Sequence, residues 1–394
     1  MLIRNLKVSR LLSFGPEGID LAMRPLNVLI GPNGCGKSNF IEVLNLLRYA
    51  PVRLDTPIMA SGGAKEWLWK GGEFDPNQPA SIEAEVVGSH TDFLECVRHR
   101  LDMVGASDRV WIEREIIACG EPSEDINNFV TVYTSREGNA SIRDDQSNAK
   151  LREMDGSKLD FRVSILSQIR DPEHYYTLDS LQRAYTGIHI YRDWTFGTGA
   201  AMRSSQVPDG PADDVGREGR NVITVIASMK RADRNRLVKE LQSLYPEIED
   251  VRLAPSGGGA MRLFIEEPSG VVISSERLSD GTLRYLFLLA ILLQPEPPPM
   301  IVIEEPELGL HPDVIPKLAA LLIEASERTQ IVITTHSRML VDALGDDPES
   351  VIVCEKHNGE STFERLDGER MKVWLEKYSL GDLWSKGEIG GNRW

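Results

Sequence analysis

Residues Asn27 to Ser38 read NVLIGPNGCGKS and run directly into FIEVLNLL, which sets G-x-x-x-x-G-K-S between a short apolar run and an amphipathic one. Glycines at 31, 34 and 36 allow turns that side chains would block, so consecutive backbone N–H groups can point inward at phosphate oxygens. Lys37 would then reach the β- and γ-phosphates of a nucleotide, Ser38 would ligate Mg²⁺, and the helix N-terminus would favour the anion. The nucleotide contacts expected from this loop are Asn33, Gly34, Cys35, Gly36, Lys37, Ser38 and Asn39.

A second group of chemically capable residues lies far downstream. Leu278 to Thr282 reads LSDGT and opens the apolar stretch LRYLFLLAILL. Alone, this is equally a plain helix cap. A short Pro-rich connector follows, and Met300-IVIEEPE then carries four apolar residues into Glu304 and Glu305. Carboxylates at the C-terminal end of a buried strand stand where open α/β sheets place ligands. One can hold Mg²⁺ through water and the other can orient a water for attack on a γ-phosphate. Gln330-IVITTH runs another apolar stretch into His336, a candidate γ-phosphate sensor, although a lone histidine is more often structural.

The elements that must position these residues follow from periodicity. Asn27 to Ile30 is expected as a buried strand and Ser38 to Leu47 as a helix with Ile41, Leu44 and Leu47 inward. Leu2 to Leu12 and Ile19 to Ala22 read as strands of a mixed sheet with it, and Arg53 to Gly72 as irregular chain. From Ser81 to Val132 the short runs SIEAEVVG, FLECVRHRLDMV, RVWIEREIIACG and NFVTVYTS predict an antiparallel sheet. Gly138 to Lys158 reads as a polar surface excursion, and Ser204 to Arg220 as a mobile loop. Asn221 to Leu244 predicts one or two helices, and three strands are expected around Val251, Met261 and Val271. Beyond Ala343 come a hairpin around His357-Asn-Gly, a short helix at Met371 to Tyr378, and an apolar tail with Leu380, Leu383, Trp384, Ile389 and Trp394. That tail either packs back on its own chain or offers a docking strip. The expected divisions are 1–80, 81–220, 221–343 and 344–394.

Composition narrows the class. The 394 residues are 41% hydrophobic and 26% charged, an ordinary globular balance. The longest apolar run, Tyr285 to Leu293, is too short to cross a bilayer, and no secretion signal is visible, so a cytoplasmic protein without membrane contact is expected. Cys35, Cys96, Cys119 and Cys354 show neither CxxC nor metal-ligand spacing and read as reduced thiols. A net charge of −16 argues against a surface that coats nucleic acid indiscriminately. Lys230, Arg231, Arg234, Arg236 and Lys239 could still form a local phosphate-binding face or simply a solvated one.

In this order, GPNGCGKS, LSDGT, IVIEEPELGLHP and VITTHS resemble the ATP-binding-cassette ATPases of the RecF/SMC/Rad50 and OLD-like branch, and more closely the compact AAA_21 ATPases of bacterial repair and phage-defence operons. The resemblance implies an α/β fold: a P-loop NTPase head of ABC type with a mixed sheet, an antiparallel β subdomain and a helical signature subdomain. It implies ATP and Mg²⁺ as cofactors and a homodimer in which two ATP molecules are sandwiched between heads. Ser279 and Gly281 would contact the γ-phosphate in trans, Glu305 would polarise water, Glu304 would serve Mg²⁺, Glu307 to His311 would lie at the dimer seam, and His336 would be the switch histidine. Gln168, in SILSQIRDP, is the candidate Q-loop residue for nucleotide and metal. Glu304 stands where most members carry Asp, which leaves open a scaffold that binds ATP with negligible turnover. Transporter cassettes share the motifs but fit poorly with the inserted strands. The chain beyond Ala343 is too short for the Toprim nuclease of OLD-type enzymes. The expected task is therefore anti-phage defence with a separately encoded effector nuclease, or RecF-like DNA repair, with DNA or another nucleic acid as a further partner.

Overall fold

In the computed structural model, residues 1–71, 78–87, 96–106, 108–121, 129–146, 150–192, 195–208, 215–216 and 219–391 are described. The chain forms two compact units. One comprises Met1–Ile188, Glu349–Asp367 and Gly387–Trp394, and the other His189–Pro348 and Gly368–Lys386.

Along the chain, the first unit begins with β1 (Ile3–Ser9), β2 (Ile19–Ala22), β3 (Leu26–Ile30), α1 (Lys37–Tyr49), α2 (Asp55–Ala60) and α3 (Ala64–Trp67). It continues through β4 (Ala80–Val87), β5 (Cys96–Ala106), β6 (Arg109–Gly120), β7 (Phe129–Arg136), β8 (Asn139–Ile142), β9 (Arg152–Glu153) and α4 (Tyr176–Thr186). An eight-stranded antiparallel sheet runs β2-β1-β4-β5-β6-β7-β8-β9. Strict alternation of buried and half-buried residues along β4 shows why its sequence makes a strand with one covered face. Three expectations change here. The first two strands join this antiparallel sheet rather than the phosphate-loop strand. The polar stretch after Gly138 extends the sheet through β8 and β9. The stretch after Arg53 forms two short helices, where buried Ile58 and Trp67 supply the apolar anchors that its weak periodicity concealed.

The second unit takes all but the first residue of β10 (Ile188–Tyr191), then α5 (Val222–Ser228), α6 (Arg231–Leu241), β11 (Asp250–Gly257), β12 (Ala260–Glu266), β13 (Val272–Ser274), α7 (Asp280–Leu292), β14 (Met300–Glu304), α8 (Ile315–Ser326), β15 (Gln330–Thr334) and α9 (Arg338–Asp342). β14 pairs in parallel with β15, from Met300 opposite Gln330 to Glu304 opposite Thr334. β11, β12 and β13 form a separate antiparallel sheet. α7 is buried almost all round, the signature of a core helix. The expected mobile loop is tied down at its described ends. Gln206 exchanges backbone hydrogen bonds with Met261, its amide reaches Ala201 and Gly219, and Val215 accepts from Tyr191 Oη at 2.6 Å. Residues 209–214 and 217–218 lie outside the described residues.

β16 (Val351–His357) and β17 (Glu360–Arg365) return to the first unit, where β16 lies parallel to β3. Their hairpin turns at Asn358 and Gly359, with φ of 50° and 91°. Both central residues have positive φ, as a two-residue hairpin turn requires. α10 (Gly368–Leu375) and α11 (Leu380–Ser385) belong to the second unit. Leu380, Leu383 and Trp384 are buried, and Gly381 N–H donates to Asp342 at 2.6 Å, so this part of the apolar tail packs on its own chain. Trp394 lies outside the described residues. Among the described residues, no helix is long and apolar enough to cross a membrane.

Candidate nucleotide site

In the first unit, β3 is buried at every residue and delivers the chain to Gly31. The loop ends at Gly36, where φ is 108° and α1 begins without a side-chain cap. The helix N-terminus thus carries no side-chain cap of its own, the arrangement that receives phosphate. Asn33, Gly34 and Ser38 are exposed, and a Cβ at Gly34 would meet nothing within 4 Å. Lys37 curls back over the loop, its Nζ donating to Gly31 O at 2.6 Å and Pro32 O at 3.1 Å. Asn39 points the other way, with Nδ2 donating to Ser13 Oγ at 2.7 Å. A Cβ at Gly36 would collide with Ser361 Oγ at 2.3 Å and Ser13 Oγ at 2.9 Å, which explains glycine there.

In the second unit, the ends of β14 and β15 bring Glu304, Glu305, Glu307 and His336 together. Glu305 follows the last residue of β14 and takes a left-handed conformation, φ 46°, uncommon for a residue with a side chain. Its N–H is shared between Thr334 O at 3.1 Å and Thr334 Oγ1 at 3.2 Å. The turn presents its partly exposed carboxylate 3.7 Å from His336 Nε2. Glu307 turns inward instead and is half-buried. One of its oxygens accepts from Thr335 Oγ1 at 2.6 Å and from His336 N–H at 3.1 Å, while Oε2 is buried without a hydrogen-bond partner. Burial holds its pKa above the ordinary carboxylate value.

The LSDGT stretch opens α7 as a true cap: Ser279 Oγ accepts from Thr282 N–H at 3.1 Å. Gly281 sits so close to Gly309 O that a Cβ would come within 3.0 Å. One turn into α7, Arg284 Nη2 donates to Glu305 O at 2.8 Å. This guanidinium is buried, which lowers its pKa to about 10, against the opposing pull of Glu307 and Glu305. Arg203 holds the approach to the cap. It donates to the carbonyls of Phe196, Glu276 and Leu278 at 2.7, 3.1 and 2.8 Å and pairs with Asp280.

Gln168 sits in the first unit, and its amide closes a local loop, accepting from Asp160 N–H at 2.8 Å and donating to Asp160 O at 3.0 Å. Contact with a metal would require those bonds to break. Of the basic residues on α6, Arg236 pairs with Glu324 and Arg234 donates to Val251 O, and Glu249 and Asp250 line the same cleft.

Three residues of this site carry more than the sequence suggested. Arg284 had a signal, since it is the only charge in LRYLFLLAILL. Glu307 is the third carboxylate of EEPE, yet it turns inward beneath His336. Arg203 lies in a segment whose sequence gave no sign of a clamp.

No curated protein matches the chain in sequence. A family model described as an AAA domain, putative AbiEii toxin, Type IV TA system, matches residues 26–94 and 217–342. Among solved structures, an SMC head bound to the C-winged helix domain of ScpA superposes with a TM-score of 0.57 at 14% identity, covering 94% of this chain and 99% of that one. An SMC head with an extended coiled coil, bound to the C-terminal domain of ScpA from Pyrococcus furiosus, gives 0.52 at 14% identity over 95% and 98%. The SMC head with coiled coil and joint from Pyrococcus yayanosii gives 0.52 at 10% identity over 96% and 99%. The motifs, the family match and the shared architecture agree: the chain is similar to the AAA_21 family and has the ABC-type head fold of SMC proteins.

Proposed function

We propose that this chain binds ATP with Mg²⁺, dimerises head to head around two nucleotides, and works as an ATP-gated switch in a DNA-linked process. Anti-phage defence with a separately encoded effector nuclease is the task that fits best. The observation carrying this reading is the Glu305–His336 pair, a carboxylate and an imidazole 3.7 Å apart at the ends of adjacent parallel strands.

The loop residues suit the ligand. α1 has no side-chain cap, Gly34 faces open space, and the Lys37 ammonium already rests on two loop carbonyls that a phosphate oxygen can replace. Ser38 and Glu304 would hold Mg²⁺, which when bound neutralises phosphate charge. Glu305 accepts a hydrogen bond from the attacking water and turns its lone pair to the phosphorus, while His336 senses the terminal phosphate. Ser279 of the partner subunit caps the same phosphate from across the dimer. Because Arg284 ties α7 to the Glu305 carbonyl, docking of α7 against a second head bears on the hydrolytic carboxylate.

Phosphate release by wild type, Glu305→Gln and His336→Ala, with and without duplex DNA, tests this. Glu305→Gln should lose about 100-fold in turnover while ATP affinity stays within about threefold. Unchanged turnover in Glu305→Gln would remove Glu305 from the chemistry.

A further inference from the structure

Two cysteines far apart in sequence meet at the phosphate loop. β16 lies parallel to β3 with Val353 opposite Ile30, so the next step along both strands sets Cys354 beside Gly31. The loop then folds back and brings Cys35 over the same residue. A Cβ at Gly31 would lie 2.2 Å from Cys354 O and 2.8 Å from Cys35 Sγ, so only glycine leaves room for this approach. Cys354 Sγ donates to Ile352 O at 3.7 Å and neighbours Cys35, whose Sγ stands 3.7 Å from Lys37 Nζ. Both cysteines are free and buried.

We propose that Cys35 and Cys354 form a peroxide-reactive thiol pair whose disulfide closes the nucleotide-binding loop. The inference rests on the reading that this loop binds ATP.

The two sulfurs divide the chemistry. The neighbouring Cys354 thiol, helped by the Lys37 ammonium, draws the Cys35 pKa down to about 6 against the effect of burial, so Cys35 is the nucleophilic thiolate at neutral pH. Burial pushes the Cys354 thiol up, and it stays protonated as the resolving thiol. The Cys35 thiolate attacks one oxygen of a hydroperoxide. An S–O bond forms, the O–O bond breaks, and the leaving oxygen departs as hydroxide or alkoxide and takes up a proton. The Cys354 sulfur then attacks the Cys35 sulfenic acid, forming the S–S bond and breaking S–O, and the hydroxyl leaves as water with the Cys354 proton. Two electrons pass from the two thiols to the peroxide.

Once linked, the loop is tethered to β16 while Lys37 remains on Gly31 O and Pro32 O, and the loop amides can no longer rearrange around phosphates. Bound ATP opposes the reaction by drawing the Lys37 ammonium away from Cys35. Oxidation and nucleotide binding therefore oppose each other.

The test treats the full-length protein with graded hydrogen peroxide, with and without Mg-ATP, and blocks remaining thiols with N-ethylmaleimide. Non-reducing peptide mapping and binding of a fluorescent ATP analogue are then read together. The expected result is a Cys35–Cys354 linked peptide, slowed by Mg-ATP, with ATP affinity falling by about tenfold and restored by dithiothreitol. Cys354→Ala should form no linked peptide. If the partly exposed Cys119 is oxidised while no Cys35–Cys354 peptide appears, the proposal is overturned. A linked peptide with unchanged affinity overturns the gating. A reduced wild-type protein that binds no ATP overturns instead the nucleotide reading beneath it.

Discussion

Arg284 donates through Nη2 to the backbone carbonyl of Glu305 at 2.8 Å, joining the helix opened by LSDGT to the turn that presents the candidate hydrolytic carboxylate. The bond fixes a residue whose φ of 46° is uncommon for one that carries a side chain. Replacing Arg284 with Met should keep the buried volume but free the Glu305 carbonyl. Turnover is expected to fall by about tenfold or more with ATP affinity held, because a small misplacement of a water-orienting group is costly. Steady-state kinetics beside nucleotide titration would check this, and unaltered kcat would show that the link is only structural.

The strained backbone at Glu305 makes a separate prediction. Asn tolerates the left-handed region and β-branched residues do not. Glu305→Asn should melt at or above the wild-type temperature while losing turnover, and Glu305→Val should cost roughly 1–3 kcal/mol. Thermal melts of the two variants decide it. Equal melting of both would mean that the turn relaxes.

Glu307 predicts how stability varies with pH. Its folded pKa is raised by burial, so the native state holds the proton more tightly than the unfolded chain does. The resulting stability is fully present below the unfolded carboxylate value and is lost as pH rises through the folded value. Glu307→Gln mimics the protonated form throughout. The melting temperature of the variant minus that of wild type should be near zero at about pH 4 and grow positive toward about pH 7. A gap independent of pH would contradict the assignment.

Much of this was legible in the sequence because strict local rules applied. The glycines and Lys37 of the loop, the alternation along β4, and the apolar runs before Glu304 and His336 each specify one local structure. What escaped were partnerships made at a distance. Nothing near Cys35 announces Cys354, and Arg203 reaches carbonyls that have no side-chain signature. Alternation along β1 and β2 reveals a covered face but not which neighbour covers it, and the pair joins β4 rather than β3.

The basic residues of α6 are unequal in the structure, and a DNA-binding measurement can use that. Arg236 is paired with Glu324, whereas Arg231 lines an open cleft. Arg231→Glu should weaken duplex DNA binding and lower the magnitude of its salt slope by about 1. Arg236→Glu should act mainly on stability. Binding indifferent to salt would remove α6 as a phosphate-contacting face.

The central claim is that ATP joins two heads. Light scattering on wild type and Glu305→Gln, with and without Mg-ATP, measures it most directly, because the substitution removes water activation while leaving the phosphate loop intact. The account predicts that Glu305→Gln doubles its mass, or assembles further, only when Mg-ATP is present. A mass that ignores ATP would contradict the gated dimer and point to an assembly formed without nucleotide.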